Sequence, residues 1–476
     1  MAPRTAWVIA AAAVATAAVA GMGRAAEPAP LCLDCITVRV GPPMVVRGPF
    51  PDELDNHFTA LRLPDGTFRG FTANGATYAV DGPDVRAMGG VRRTVMEPVP
   101  GSDECGRWLN GVAEAGGRLY GFVHIESGCD YEKGETHKSM AVAVSNDDGL
   151  TWTDLGPMLA GADGAKPRTI TGEGDCTVTP GGDGFLYAYC LRNRDWKTIV
   201  ARAPADDPRP GNWRKYLDGQ FSSDALGGDA TAIGFLGTGS GYLRDLGRIA
   251  TVTVDPWFRG LRLSLSADGV TFTDFAVPLL PVDAADWQRP APTGLMAYAT
   301  LIDPDDATAV LGSRFLLAYI YVPPGKDFAD RYLVFQEVRL AVGAGPAAVP
   351  AAVALARWRS GTAFATGTTP VVDPAFRLDR TLGSLLTAAG EAEGTVALSE
   401  CVAADAGRPG SFLAPAGRCG AGARTVATAG WAFAGERPGT RALYACVAGE
   451  TRFASDAADC EGLGTPEFRL GYVLDP

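Results

Sequence analysis

The chain holds only three histidines, and no Cys/His cluster has zinc-ligand spacing, so no metal or other cofactor is expected. It also lacks an excess of positive charge. Against 42 Lys and Arg stand 54 Asp and Glu, and the net charge of -12 argues against nucleic acid or an anionic membrane surface as partner. Long heptad or 3.6-residue apolar periodicities are missing, which argues against a helical bundle. What is abundant is Gly (60) and Pro (34), a composition that suits many short strands joined by turns.

The first residues are Met-Ala-Pro-Arg, followed by an uncharged, Ala- and Val-rich run from Thr5 to Val19 with small residues at Ala18 and Ala20. This reads as a secretory signal peptide over residues 1–25, with Ala18-Val19-Ala20 or Gly23-Arg24-Ala25 offering a cleavage site, and it places the mature chain outside the cell or in a periplasm. No membrane association is expected after signal removal. Ten cysteines follow, an even number that in an exported chain points to disulfides. Cys32 and Cys35 lie in a Pro-rich entry segment with no βαβ pattern behind them, so they most simply pair with each other.

Five hairpins recur along the chain, each a pair of alternating runs around a Gly-rich turn. The first runs from His57 through the turn Pro64-Asp65-Gly66, and the second from Leu109 through Ala115-Gly116-Gly117 to His124. The third runs from Asp175 through Gly181-Gly182-Asp183-Gly184. The fourth starts at Asp229 and resumes at Gly247 after a Gly-rich insertion, and the fifth starts at Met296 and resumes at Arg314. Each is followed by a further strand or pair. Four-strand units at such intervals are the signature of propeller blades. The expected fold is therefore all-β: a five-bladed β-propeller over residues 26–342, a linker over 343–365, and a small disulfide-stapled, β-rich repeat module over 366–476.

The cysteines fit this register. Cys176 and Cys190 are centred on the Gly181–Gly184 turn, and Cys105 and Cys129 on Gly117, so both pairs are expected to close hairpins. In the C-terminal part Gly394-Thr-Val-Ala-Leu-Ser-Glu-Cys401 recurs as Gly439-Thr-Arg-Ala-Leu-Tyr-Ala-Cys446, which predicts one staple per copy, Cys401 with Cys419 and Cys446 with Cys460. Ser145-Asn-Asp-Asp-Gly-Leu-Thr-Trp152 fits the Asp-box pattern of sialidase-like propellers, with a shorter relative at Ser266–Phe272. Such a box is a tight turn whose Asp accepts backbone N–H bonds; it says little about chemistry.

A propeller's ligand site lies at the channel mouth, where the innermost strands begin. The polar residues there are Asp55, Asn56 and His57, then Trp108 with Asn110, Glu173 with Asp175, and Asp229. Reflection through the second turn places Asn110 opposite His124 and Trp108 opposite Glu126; the third turn places Glu173 opposite Asn193. His57, Trp108, Asn110, His124, Glu126, Glu173 and Asn193 are thus candidates for holding a ligand. Each has a plainer alternative: Trp108 as core, Glu173 as a hydrogen-bond partner of Asn193 or in a salt bridge with Arg192 or Arg194.

The five units, the carboxylate at the entry of the first, and Gly174-Asp175-Cys-Thr-Val with Gly182-Asp-Gly-Phe-Leu-Tyr187 resemble the five-bladed glycoside hydrolases of family 43 and the invertase-like enzymes. The resemblance implies catalytic carboxylates: Asp55 as base or nucleophile, Asp175 as the positioning group, and Asp229 at the place of the acid. It also implies a carbohydrate substrate. The fourth blade carries Asp where that group has Glu, and no W-x-N-D-P-N or E-G-P motif is present; Glu126, beside His124, is an alternative acid. A non-catalytic glycan- or protein-binding propeller is the competing expectation. A sialidase would call for six blades, three convergent arginines and a Tyr nucleophile. The C-terminal repeats resemble small modules appended to secreted bacterial proteins near glycan-directed domains, which implies a cell-surface glycan as a further partner.

Overall fold

The computed structural model describes residues 31–476 apart from 256–259, 284–286, 390–393 and 404–409, so the signal peptide expected over 1–25 lies outside the described residues. The described chain is built of strands, with four short 3-10 turns and no helix long and apolar enough to cross a membrane.

From Thr59 to Val342 the strands fall into antiparallel groups in sequence order. The first holds Thr59–Arg62, Phe68–Asn74, Ala76–Gly82 and Arg93–Met96; the second holds Glu104–Ala115, Arg118–Asp130, Glu135–Ser145 and Thr153–Ala160. The third runs from Ile170–Pro180 through Phe185–Arg192 and Lys197–Pro204 to Arg214–Leu217. The fourth is Gly239–Leu243, Arg248–Asp255, Gly260–Ser266 and Phe272–Asp274. The last contains Leu295–Ile302, Arg314–Val322 and Tyr332–Val342, and its outer edge is completed by the N-terminal strands Ile36–Val40 and Met44–Arg47, both antiparallel to Tyr332–Val342. Early chain thus covers the edge that late chain would leave open, which removes a site of edge-to-edge association.

Apolar layers between neighbouring groups hold them together. Phe71 meets Trp152 edge-on between the first two groups, and Phe122 meets Trp213 within the core shared by the second and third. Tyr189 meets Phe272 between the third and fourth. Phe58 of the first packs on Phe335 of the last, which closes the ring. This is an all-β, propeller-like arrangement, with a core distributed over the inter-sheet layers instead of one centre.

Two turns between third and fourth strands repeat one design. Asp147 accepts the Thr151 N–H at 2.9 Å while Trp152 Nε1 donates to the Gly149 carbonyl at 3.1 Å; at the second turn Asp268 accepts from Val270 and Thr271. The carboxylate replaces the missing backbone partners of a tight turn.

Two expectations change. The segment 343–365 is largely not a linker: Ala351–Ser360 and Ala363–Gly367 are paired strands, and Val38–Val40 runs parallel to Ala351–Val353. The Ala and Val residues from Ala351 to Ala356 are buried core. With Arg377–Leu386 these strands form a further copy of the C-terminal repeat, so the module has three units and begins at Ala351. In each unit a buried leucine faces a glycine with positive φ: Leu355 with Gly383 (φ 138°), Leu398 with Gly430 (φ 142°) and Leu443 with Gly471 (φ 148°). A side chain at any of these glycines would be strained as well as crowded. The first copy escapes sequence detection because Trp358 stands at the register position of Cys401 and Cys446 and packs on Phe376, an apolar contact in place of a disulfide. All five cysteine pairs form as expected.

Candidate active site at the inner strand ends

Side chains from every group approach one another where the inner strands begin. His57, buried, sets Nε2 2.6 Å from the Thr238 hydroxyl and Nδ1 3.1 Å from that of Thr300, joining the first group to the fourth and last. Its ring meets Tyr298 edge-on. Burial pushes the His57 pKa down to about 4, so it is neutral at pH 7.

A tighter cluster lies beside it. Lys138 Nζ is 2.8 Å from Asp175 Oδ2 and 3.2 Å from Glu126 Oε1. His124 Nε2 is 3.4 Å from Glu126 Oε1 and 3.5 Å from Asp175 Oδ1. The Asp175 backbone N–H donates to His124 Nδ1 at 3.0 Å, so that nitrogen is the acceptor and the ring proton sits on Nε2, facing both carboxylates. Tyr131 donates to Glu126 Oε2 at 2.6 Å. Burial alone would raise both carboxyls. For Glu126 the His124 N–H, Lys138 and Tyr131 outweigh it and bring the pKa down to about 2; for Asp175, Lys138 and the two histidines hold it well below the usual carboxylate range. The same carboxylates, overcoming its own burial, hold the Lys138 ammonium above the ordinary lysine value.

The backbone is bent to make this possible. The inner strands carry register shifts between Leu109 and Gly111, Gly174 and Thr177, and Ala297 and Thr300. The residues in the last two, Asp175 (φ 52°) and Tyr298 (φ 51°), are left-handed, a conformation costly for side-chain-bearing residues. Bulges of this kind re-aim side chains next to active sites.

The bulges also correct the reflected pairs. Trp108 pairs with His124, ring centroids 5.5 Å apart, and Gly106 pairs with Glu126; Asn110 occupies the bulge. Buried Trp108 Nε1 and both polar side-chain atoms of Asn110 have no hydrogen-bond partner within the protein. Glu173 pairs with Arg192, not Asn193. Its carboxylate turns away to Lys215, 2.7 Å off, and burial raises its pKa against that lysine's opposing charge. Asn193 donates to the Gly172 carbonyl at 3.0 Å.

Asp55, partly exposed, pairs with Arg331 of the last group, and its charge reaches Tyr131 and Tyr298. Asp229 does not join the cluster. It lies exposed in the loop before the fourth group, whose first strand begins at Gly239, where its charge reaches Arg192. The Gly-rich insertion after it contains the true strand start, so the alternating Asp229–Ile233 run is loop. Thr238 occupies the fourth group's place beside His57.

Lys138, Tyr131, Tyr298 and Arg331 are missed by the sequence reading. Lys138 had a signal: reflecting Glu126 through the turn at Tyr131–Gly134 lands on it, and the two are cross-strand partners. Arg331 has none, being local only in three dimensions.

No family model and no curated protein matches the sequence. Solved structures that resemble the fold include a family 117 glycoside hydrolase produced by the marine bacterium Zobellia galactanivorans, 12% identical, with a TM-score of 0.41 over 65% of this chain and 91% of that one. A family 43 β-1,3-galactosidase is 13% identical, with a TM-score of 0.39 over 61% and 92%. The catalytic domain of the Coprinopsis cinerea family 62 α-L-arabinofuranosidase is 12% identical, with a TM-score of 0.39 over 64% and 98%.

Proposed function

We propose that the chain is an exported, carbohydrate-active protein of glycoside hydrolase-like design, a five-bladed propeller whose saccharide meets the inner strand ends at Asp55, Glu126 and Asp175. The observation that carries this reading is the Glu126–Lys138–Asp175 cluster with His124, set on bulged backbone within the ring. Glycoside hydrolysis needs one ionised carboxylate and one proton donor across the scissile bond. Asp55, the most water-exposed of the three, is assigned the base or nucleophile role, and Asp175, pinned by Lys138, the positioning role. Glu126 takes the donor role in place of Asp229. It rests ionised; a sugar hydroxyl that draws off the Lys138 or Tyr131 donor raises its proton affinity, so that on substrate binding it takes up a proton from solvent and passes that proton to the leaving-group oxygen. Attachment to a cell-surface glycan through the C-terminal repeats belongs to the same proposal.

Asp175→Asn keeps shape and removes charge. Turnover on the best substrate of a glycan panel is expected to fall about a hundredfold or more, with the melting transition still cooperative. Undiminished turnover sinks the assignment.

One observation favours a second reading, glycan binding without hydrolysis: each carboxylate of the cluster has a cation or N–H donor, and the fourth group supplies Thr238 and no acid. Retention on a glycan array with no product after prolonged incubation would establish it.

A further inference from the structure

Trp196 combines two costs. It is 58% exposed and its backbone is left-handed, with φ 59°, although a bulky residue avoids that region and a glycine or asparagine would fit the same turn without strain. Strain and exposed apolar surface at one residue point to a task outside the fold. The turn that presents it, Asn193–Trp196, leaves the strand end paired with Glu173, beside Asp175. In that turn buried Asn193 keeps its side-chain oxygen without a hydrogen-bond partner in the protein.

Trp196 is one of a set. Exposed Phe235 lies in the loop entering the fourth group, with Lys197 of the same hairpin 5.9 Å from its ring. Tyr131, exposed, caps Glu126 from the turn of the second group. Exposed Phe50 hydrogen-bonds through its backbone to Ala329, two residues from the Arg331 that holds Asp55. Exposed Trp287 precedes the last group's inner strand, and the nearby Arg289 donates to the Pro323 carbonyl at the same end of that hairpin. Five connections at the site end of the ring therefore each show one exposed aromatic. Among the described exposed aromatics only Phe468 lies elsewhere.

We infer that these rings form a set of separate stacking platforms for a neutral polysaccharide, so that the site engages internal stretches of a glycan chain. The inference rests on the carbohydrate reading above. A protein partner would call for one contiguous apolar patch. Here the rings sit on different connections with Lys133, Arg194 and Asp229 among them, all exposed. An aromatic face meets the C–H face of a pyranose or furanose, and successive sugars need successive rings. Neutral glycan fits the cluster below, whose two embedded cations, Lys138 and Arg331, are already paired with carboxylates.

The test uses the full chain in affinity electrophoresis and calorimetry against arabinan, xylan and β-1,3-galactan and the matching tetrasaccharides. For Trp196→Gly and for Trp196→Ala with Phe235→Ala, the polymer-to-tetrasaccharide affinity ratio is expected to fall at least tenfold. Trp196→Gly, relieved of backbone strain, should melt no lower than the parent, which separates lost binding from lost folding. An unchanged ratio in a parent that does hold polymer overturns the platforms and leaves the carbohydrate reading standing. Binding of tetrasaccharide but not polymer by the parent has the same consequence. Retention of neither overturns both.

Discussion

Lys138→Met is expected to cost about 3–5 kcal/mol of folding stability at pH 8, the range for removing one partner of a buried ion pair. Among the described residues the lysine is the only ammonium in contact with both Glu126 and Asp175, at 3.2 and 2.8 Å. Without it two buried carboxylates share one imidazole N–H, and Tyr131 offers a single further donor to Glu126. Methionine fills much of the volume, so the loss is electrostatic and not a cavity effect. Removing the cation lets burial raise both carboxyl pKa values, and one of the pair then takes up a proton as the pH falls. A folded-state carboxyl with raised pKa is favoured by acid, so the deficit should be largest at pH 8 and shrink toward pH 5. Urea unfolding of parent and variant at the two pH values reads this directly. A loss below about 1 kcal/mol at pH 8, the scale of a surface pair, would show that the cluster is solvated and not the buried assembly described.

How far the sequence carried this depends on what each signal was made of. Hairpin turns and cysteine spacing are local, and the pairs Cys105–Cys129 and Cys176–Cys190 fell where turn symmetry put them. The same symmetry failed at Asn110 and Glu173, because a bulge inserts a residue that no composition rule announces and shifts every pairing beyond it. Those bulges are where the site is, so the register was least legible where it mattered most. Asp229 was lost for the opposite reason. A Gly-rich insertion hid the strand start at Gly239, and a polar residue before an alternating stretch imitated one. Asp55, His57 and Asp175 are conspicuous as polar residues at strand starts, and His124 and Glu126 are reached by reflection through the second turn; Lys138 is legible only by a further reflection of Glu126, whereas Tyr298 and Arg331 acquire meaning only when separate groups meet. In the module, the repeat was visible through Cys401 and Cys446, and the copy carrying Trp358 in that register position was read as a linker.

The site also gives the protein a two-stage sensitivity to acid. His57 is neutral when folded, with its pKa brought down to about 4 by burial against an ordinary value near 6.5. The unfolded chain therefore takes up a proton between roughly pH 6.5 and 4 that the folded chain refuses. Stability is whole above that window and declines as pH falls through it, by up to ~3 kcal/mol at 1.36 kcal/mol per pKa unit. Glu126 acts lower. Its folded pKa of about 2 lies below the ordinary value near 4.3, so its contribution is present above pH 4 and lost between about pH 4 and 2, again up to ~3 kcal/mol. Asp175, depressed in the same direction, adds to the second stage. Urea midpoints measured from pH 8 to 3 should accordingly begin to fall above pH 5, earlier than carboxylates alone would allow. His57→Gln should flatten the upper window, leaving Thr238 and Thr300 with an uncharged partner, and Glu126→Gln should flatten the lower one. A parent whose stability is constant from pH 6.5 to 4.5, or a His57→Gln chain with the parent's slope there, would mean that the imidazole between Thr238 and Thr300 accepts a proton without cost, and that the floor of the site is open to water.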